Sequence, residues 1–363
     1  MRTDNHSAAV TGRIAELLAL YDNPGACAAH LLCDRHDPEK LAYRIIAPDL
    51  SRRDISYGEL RRESERFAGA LQSLGIGPGD RVATLMGKSR QYLVTLLAIW
   101  RLGAVHVPLF TAFAPPAIAL RLLGSGAKLV VCDATQRPKL VPGDDIPSPA
   151  PWRVITTGPA DADALSFDEL MRAASPVDHA ATVGGRAPMV HIYTSGTTGK
   201  PKGVVLPLRA LAATHAYTEF GFDLQASDVF WCAADPGWAY GLYFGILSSL
   251  QTGVRSILLE GGFSPELTLR VLAEQGVTNF AAAPTVYRAL RGAGLPAPTG
   301  LVLRCASSAG EPLTPEVNEW AEVALGVSVH DHYGQTEAGM LINNHHHPAV
   351  KQPLKPGSMG QSM

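Results

Sequence analysis

The stretch Tyr193-Thr194-Ser195-Gly196-Thr197-Thr198-Gly199-Lys200-Pro201-Lys202-Gly203 decides how the rest of the chain is read. Before it, Pro188-Met189-Val190-His191-Ile192 predicts a short buried strand, and after it Val204-Val205-Leu206 predicts a second. The segment between them is a strand-to-strand loop of hydroxyls, glycines and two lysines. Glycines let backbone N–H groups approach an anion closely, and hydroxyls add donors without adding charge. Lysines supply compact positive charge for phosphate. The composition points to a loop that holds a polyphosphate. A merely flexible Gly/Ser/Thr turn does not account for two lysines around a proline between two apolar strands.

The loop is not of the G-x-x-x-x-G-K-[ST] type. Gly199-Lys200 is followed by Pro201, and the earlier glycine of that spacing falls at Thr194. Pro201 also blocks the helix into which such a loop feeds.

The stretch resembles the phosphate loop of the AMP-forming adenylate-forming superfamily, which includes acyl-CoA synthetases, firefly luciferase and peptide-synthetase adenylation domains. That pattern is [YF]-T-S-G-[ST]-T-G-x-P-K-G, and residues 193–203 match every fixed position. The resemblance implies that Thr194, Ser195, Gly196, Thr197, Thr198, Gly199 and Lys202 hold the β- and γ-phosphates of ATP.

Other segments agree. Ser308-Ala309-Gly310-Glu311-Pro312-Leu313 follows an expected strand, where open α/β sheets place ligands. It resembles the G-E-P segment whose backbone lies against adenine, which implies a nucleotide contact for Gly310, Glu311 and Pro312. It also reads as a helix-start turn with Pro315 in the first turn, and both can hold. His330-Asp331-His332-Tyr333-Gly334-Gln335-Thr336-Glu337 carries Y-G-Q-T-E intact. By resemblance, Asp331, His332, Tyr333, Gly334, Gln335 and Thr336 belong to the nucleotide site, with Tyr333 offering a ring for stacking. Thr336 brings a hydroxyl near the α-phosphate. Glu337 is a hard oxygen ligand suited to Mg²⁺, which takes carboxylates together with substrate phosphates. Lys202, Thr336 and Glu337 are thus the expected catalytic residues, and Glu337 the metal ligand.

Asp235-Pro236-Gly237-Trp238-Ala239-Tyr240-Gly241 resembles the D-x-G-W-x-x-G segment of acetyl- and medium-chain acyl-CoA synthetases. It implies an acyl pocket at Trp238 and Gly241, with a buried core tryptophan as the competing reading. Acetyl-CoA synthetases read D-T-W-W before Q-T-E, where this chain reads Asp331-His332-Tyr333-Gly334. Glycine for that second tryptophan makes Gly334 the third expected pocket residue and implies an acid longer than acetate. Ala281 to Arg288 resembles a family segment beside the pocket. His345-His346-His347 reads as a polar loop, since consecutive histidines cannot all face one ion in a regular element.

The 363 residues suggest two or more structural units, and a hydrophobic fraction of 46% supports a large core. A net charge of −2 argues for no nucleic-acid surface. Five scattered cysteines without Cys-x-x-Cys predict reduced thiols and a cytoplasmic protein. Residues 1–26 do not read as a signal peptide, because the apolar part is short and contains Glu16. The run from Tyr92 to Phe110 is broken by Arg101 and Gly103 and predicts no membrane span.

Strand and helix patterns alternate over residues 57–132 and again over 204–331, with a capping box at Ser56–Glu59. Residues 134–187 read as surface turns with one short helix near Phe167 to Ala173. Residues 208–217 and 241–250 read as helices. The fold expected is α/β, with two similar subdomains of mostly parallel sheets packed between helices and facing across a cleft. The expected units are 1–187, 188–340 with the ATP site, and 341–363 as the start of a third region. The resemblance further implies a ribose-binding aspartate and a small C-terminal domain with a catalytic lysine, which have no counterpart before Met363, so a fragment is expected.

The implied chemistry is ATP-dependent activation of a carboxylic acid to acyl-AMP, then thioester formation with coenzyme A. The partners are the acid, ATP and coenzyme A; the oligomeric state stays open, a homodimer being one option. The alternatives are loading of a carrier protein and a non-catalytic nucleotide-binding or regulatory role.

Overall fold

The computed structural model describes residues 2–194 and 201–362. The chain opens with α1 (Arg2–Tyr21), then β1 (Leu41–Ile46) and β2 (Arg52–Ser56), an antiparallel pair. Helix α2 (Tyr57–Ser73) starts at the expected capping box. Ser56 Oγ accepts from the Glu59 amide, and the Glu59 carboxylate accepts from the Ser56 amide. Two of the helix's orphan donors are satisfied this way.

The first sheet follows. Its strands are β3 (Arg81–Leu85), β4 (Val105–Pro108), β5 (Leu129–Cys132), β6 (Arg153–Thr156), β7 (Ala164–Ser166), β8 (Pro188–Thr194) and β9 (Lys202–Pro207). Their order is β7-β6-β5-β3-β4-β8-β9, parallel except for the antiparallel pair β8–β9 at one edge. The second sheet takes β10 (Phe230–Cys232), β11 (Ser256–Leu259), β12 (Asn279–Ala282), β13 (Cys305–Ala309), β14 (Val329–Gln335) and β15 (Gly339–Asn343). Its order is β15-β14-β13-β12-β10-β11-β1-β2, parallel inside with an antiparallel pair at each edge.

Sheet membership does not change at residue 187. Strands β8 and β9 extend the first sheet, and β1 and β2 close the far edge of the second. Residues 134–187 also differ from the expected surface turns, because β6 and β7 lie there and lengthen the first sheet. Each is only three or four residues long, too short for a period to show. Their apolar side chains Val154, Ile155 and Ala164 are nonetheless buried. Helix α5 (Phe167–Ala173) falls where expected.

Alternation along the strands explains the layering. Val82, Leu129 and Val131 face one core and Ala83, Leu85, Val130 and Cys132 another. In the second sheet Leu258 and Ala281 join the first of these cores, whereas Ile257, Leu259, Phe280 and Ala282 face away. Successive side chains of a strand point to opposite faces, so each parallel sheet is buried on both. The shared core between the sheets is filled by α2, α3 (Arg90–Arg101), α6 (Leu211–Phe220) and residues 241–250. Helix α4 (Pro115–Ser125) covers the outer face of the first sheet. Helices α8 (Pro265–Glu274), α9 (Pro284–Gly292) and α10 (Pro315–Ala324) cover the outer face of the second.

Gly241–Leu247 is not the ordinary helix expected. It is a wider π-turn, shown by the Ser248 amide donating to the Tyr243 carbonyl five residues back, and it runs into the short α7 (Ser248–Thr252). Gly241 is required where the turn begins, because a Cβ there would lie 2.0 Å from the Asp235 carbonyl oxygen.

Candidate active site

Strands β8 and β9 form a hairpin that brings Thr194 and Lys202 directly opposite each other. They stand at the two ends of the expected phosphate loop. Ser195, Gly196, Thr197, Thr198, Gly199 and Lys200 lie outside the described residues. The hairpin is held locally by close packing: the Tyr193 ring stacks on His191 at 5.1 Å, and a Cβ on Gly203 would lie 2.4 Å from His191 Nε2. Lys202 is exposed, so its ammonium is available to an anion.

The Y-G-Q-T-E segment differs from the expected loop after a strand. Asp331 to Gln335 lie within β14, which turns at Thr336–Ala338 and returns as β15. Gly334 pairs with Met340, and a Cβ there would meet the Gly339 carbonyl oxygen at 2.5 Å and Met340 Cα at 2.9 Å. The Tyr333 ring is 38% exposed, and its hydroxyl accepts from Gln335 Nε2 at 3.1 Å, leaving a face open for stacking. His332 is buried instead. Its Nδ1 pairs with the Tyr217 hydroxyl, and its Nε2 pairs with the Asn344 carbonyl at 2.9 Å. Burial holds its pKa down to about 3, so the ring is neutral and braces the strand. Burial also pushes the Asp331 carboxyl up to about 6. Asn344 ties this strand to the residues after it, donating through Nδ2 to the Asp331 carbonyl at 2.9 Å and the Ser358 carbonyl at 2.7 Å.

Glu337 stands exposed in the turn, and no ion pair or hydrogen bond among the described residues engages its carboxylate. Among the described residues no three His, Cys, Asp or Glu side chains gather to hold a metal. A single free carboxylate fits Mg²⁺, which keeps waters and substrate oxygens as its remaining ligands. Tyr243 of the π-turn supports this turn from below, its hydroxyl reaching the Thr336 carbonyl at 3.4 Å.

Strand β13 ends at Ala309, and Gly310 leaves it at φ +104, a left-handed conformation that favours glycine. Gly310, Glu311 and Pro312 are all exposed at this strand end. Glu311 is ion-paired with Arg288 of α9, so the Ala281–Arg288 segment touches the G-E-P segment directly.

The three residues expected to line an acyl pocket stand in different surroundings. Trp238 is 47% exposed and rests on Phe110 and Phe113 at centroid distances of 5.2 and 6.0 Å. Gly241 lies against the Asp235 carbonyl, and Gly334 against its hairpin partner. The apolar cavity nearest Glu337, about 230 Å³, is bounded by β8, β9, α6, the π-turn and Glu337–Gly339. It sets the turn carrying Glu337 across from the hairpin of the phosphate loop.

Sequence reading missed Tyr243, Asn344 and a buried histidine cluster. His345 and His346 are buried rather than in a solvent-facing polar loop; the His346 ring stacks on His330 at 3.6 Å, with Nε2 3.1 Å from Ser307 Oγ. The run of histidines was the visible signal, but nothing local says that β13 and β14 cover it. All five cysteines are unpaired, and no helix among the described residues is long and apolar enough to cross a membrane.

A family model described as AMP-binding enzyme matches residues 33–363. The chain is 33% identical over 344 residues to an acetyl-coenzyme A synthetase of Bacillus subtilis, covering 92% of this chain and 59% of that protein. An acetyl-coenzyme A synthetase of Methylobacterium radiotolerans is 32% identical, over 91% of this chain and 55% of that one. The chain thus spans little more than half the length of these two relatives. Among solved structures, a Brucella canis acyl-CoA synthetase superimposes with TM-score 0.89 at 40% identity, covering 96% of this chain and 65% of that one. A benzoate CoA ligase of Burkholderia xenovorans superimposes with TM-score 0.80 at 26% identity, covering 94% and 65%. Two mostly parallel sheets with helices on their faces are common to this chain and these structures, and the chain belongs to the AMP-binding enzyme family.

Proposed function

We propose that this chain carries the nucleotide and acid sites of an AMP-forming acid–CoA ligase. The carboxylate of the acid attacks the α-phosphorus of ATP, a new C–O–P bond forms, and pyrophosphate leaves with the bonding electrons. The coenzyme A thiol then attacks the acyl carbon, loses its proton, and displaces AMP. The observation that carries this reading is the shared cavity wall, on which Glu337 stands with Met189, Val190, Leu206 and Pro207 of the hairpin whose other end carries Thr194 and Lys202.

The residues divide the work as follows. Thr194 and the loop from Ser195 to Gly199 hold the β- and γ-phosphates, and Lys202 offsets charge on the departing pyrophosphate. Thr336 donates toward the α-phosphate. Glu337 holds Mg²⁺, which supplies neutralisation of phosphate charge when bound. Tyr333 stacks on adenine, with Gly310, Glu311 and Pro312 along its edge and Asp331, Gly334 and Gln335 completing the strand beneath. His332 acts as a positioning residue, because both ring nitrogens are engaged inside the core. Trp238, Gly241 and Gly334 flank the acid's path. Positioning and electrostatic stabilisation carry the rate, since the chain has no covalent chemistry to perform.

The test is exchange of labelled pyrophosphate into ATP in the presence of a panel of acids, followed by thioester formation on adding coenzyme A. ATP-dependent exchange that needs an acid is expected. Nucleotide binding with no exchange for any acid overturns the reading in favour of a non-catalytic nucleotide binder. Exchange followed by transfer to a carrier protein's thiol and not to coenzyme A overturns its second half.

A further inference from the structure

The cavity of about 230 Å³ opens beside Glu337 and runs inward between α6 and the β8–β9 hairpin. Met189, Leu206, Leu211 and Leu247 make its walls. Its neutral polar side chains are already spent on backbone: Thr214 Oγ1 donates to the Ala210 carbonyl at 3.4 Å and Tyr243 to Thr336. The one ionisable carboxylate on its lining, Glu337, stands exposed at the turn. Both hydroxyl oxygens can still accept but have no proton left to donate, so an anionic group entering this space finds no side-chain donor and a hydroxylated one recovers only part of the hydrogen bonding it leaves in water.

We propose that this cavity takes the tail of an unsubstituted apolar carboxylic acid, aliphatic or phenyl-ended, of up to about nine carbons. The inference rests on the adenylation reading and names the substrate class of that site. The size follows from volume: an apolar cavity of about 150 Å³ accommodates benzene, so the larger space here takes about half as many carbons again. Orientation follows from charge. The apolar walls exclude the carboxylate, which stays at the solvent-facing mouth near Thr336, where a nucleotide's α-phosphate is to be met. Acetate would leave most of the cavity unfilled.

Ala213 lines the cavity from an exposed position on α6. A Cβ built on Gly339 would lie 4.0 Å from Ala213 Cβ, so one added side chain spans the gap. Ala213→Phe therefore blocks the cavity from a surface position without disturbing the core. Ala213→Ser leaves it open.

The chain is titrated calorimetrically with sodium acetate, butanoate, hexanoate, octanoate, dodecanoate and 3-phenylpropanoate, with ATP affinity measured alongside. Affinity should rise roughly fourfold per methylene and level off near nine carbons. Ala213→Phe should lower octanoate affinity at least tenfold with ATP affinity unchanged, and Ala213→Ser should leave both alone. Acetate binding as tightly as octanoate, or octanoate binding indifferent to Ala213→Phe, overturns the proposal. If Phe at 213 prevents folding, the chain-length series on the unaltered protein decides by itself. Pyrophosphate exchange separates the two readings. Octanoate binding that Ala213→Phe abolishes, without exchange for any acid, keeps the cavity and refutes the ligase. Exchange that is best with acetate and insensitive to Ala213→Phe keeps the ligase and refutes the cavity.

Discussion

Replacing Gly334 by alanine should unsettle the hairpin that presents Thr336 and Glu337. The added Cβ would lie 2.5 Å from the Gly339 carbonyl oxygen, 2.5 Å from Met340 Sδ and 2.9 Å from Met340 Cα. The methionine sulfur sits on a flexible side chain and can turn away. The carbonyl and the Cα belong to the partner strand and can move only if β14 and β15 separate. Overpacking of this kind costs about 1–3 kcal/mol. The assay is urea denaturation, where the midpoint should fall with an unchanged slope. Hydrogen exchange should become faster at the amides of residues 332–343, and ATP affinity should drop, because the turn between the strands is displaced. Gly262→Ala is the matched control: nothing lies within 4 Å of a Cβ there, so its effect should stay within about 0.5 kcal/mol. Wild-type stability and exchange in Gly334→Ala would refute the argument and return this glycine to a role in pocket size alone. For the same reason Gly334→Trp reads the backbone before it reads acyl preference.

Three further outcomes are expected. Lys202→Ala should lower adenylate formation at least tenfold, about 1.4 kcal/mol, whereas Lys200→Ala should matter less; equal losses would undo the assignment of the charge contact. Tyr217→Phe leaves buried His332 Nδ1 without its partner and should cost about 1–3 kcal/mol in denaturation, with wild-type stability counting against that bond. Burial holds His330 down to about 4 and His332 to about 3, and His346 is lowered too, all from an ordinary 6.5. The unfolded chain therefore binds more protons than the folded one below pH 6.5, and the histidine contribution is lost as pH falls from 6.5 towards 4. Asp331, raised to about 6 by burial, acts in the opposite direction below pH 6. The melting temperature should fall on acidification and fall less in His346→Phe; an identical pH profile for the two proteins would sink this account.

The sequence by itself determined the family and the alternation of strands and helices. Both are local: an eleven-residue phosphate-loop pattern is legible letter by letter, and helices such as α2, α5 and α10 carry their caps or first-turn prolines in sequence. The resemblance also assigned Glu337, Thr336 and Lys202 to one expected site, because each lies in a motif of contiguous residues. Tertiary structure alone decided which strand joins which sheet. Parallel neighbours are joined through crossovers, so β1 pairs with β11 across some two hundred residues, and no local signal records it. Only the fold showed that His332 faces inward to Tyr217 while Tyr333 faces out, since register, not residue type, sets the face. The histidine run after β15 reads as polar until β13 and β14 are seen to cover it. The cavity beside Glu337 is drawn from four separated segments, and its volume is a property of their packing that no one of them carries.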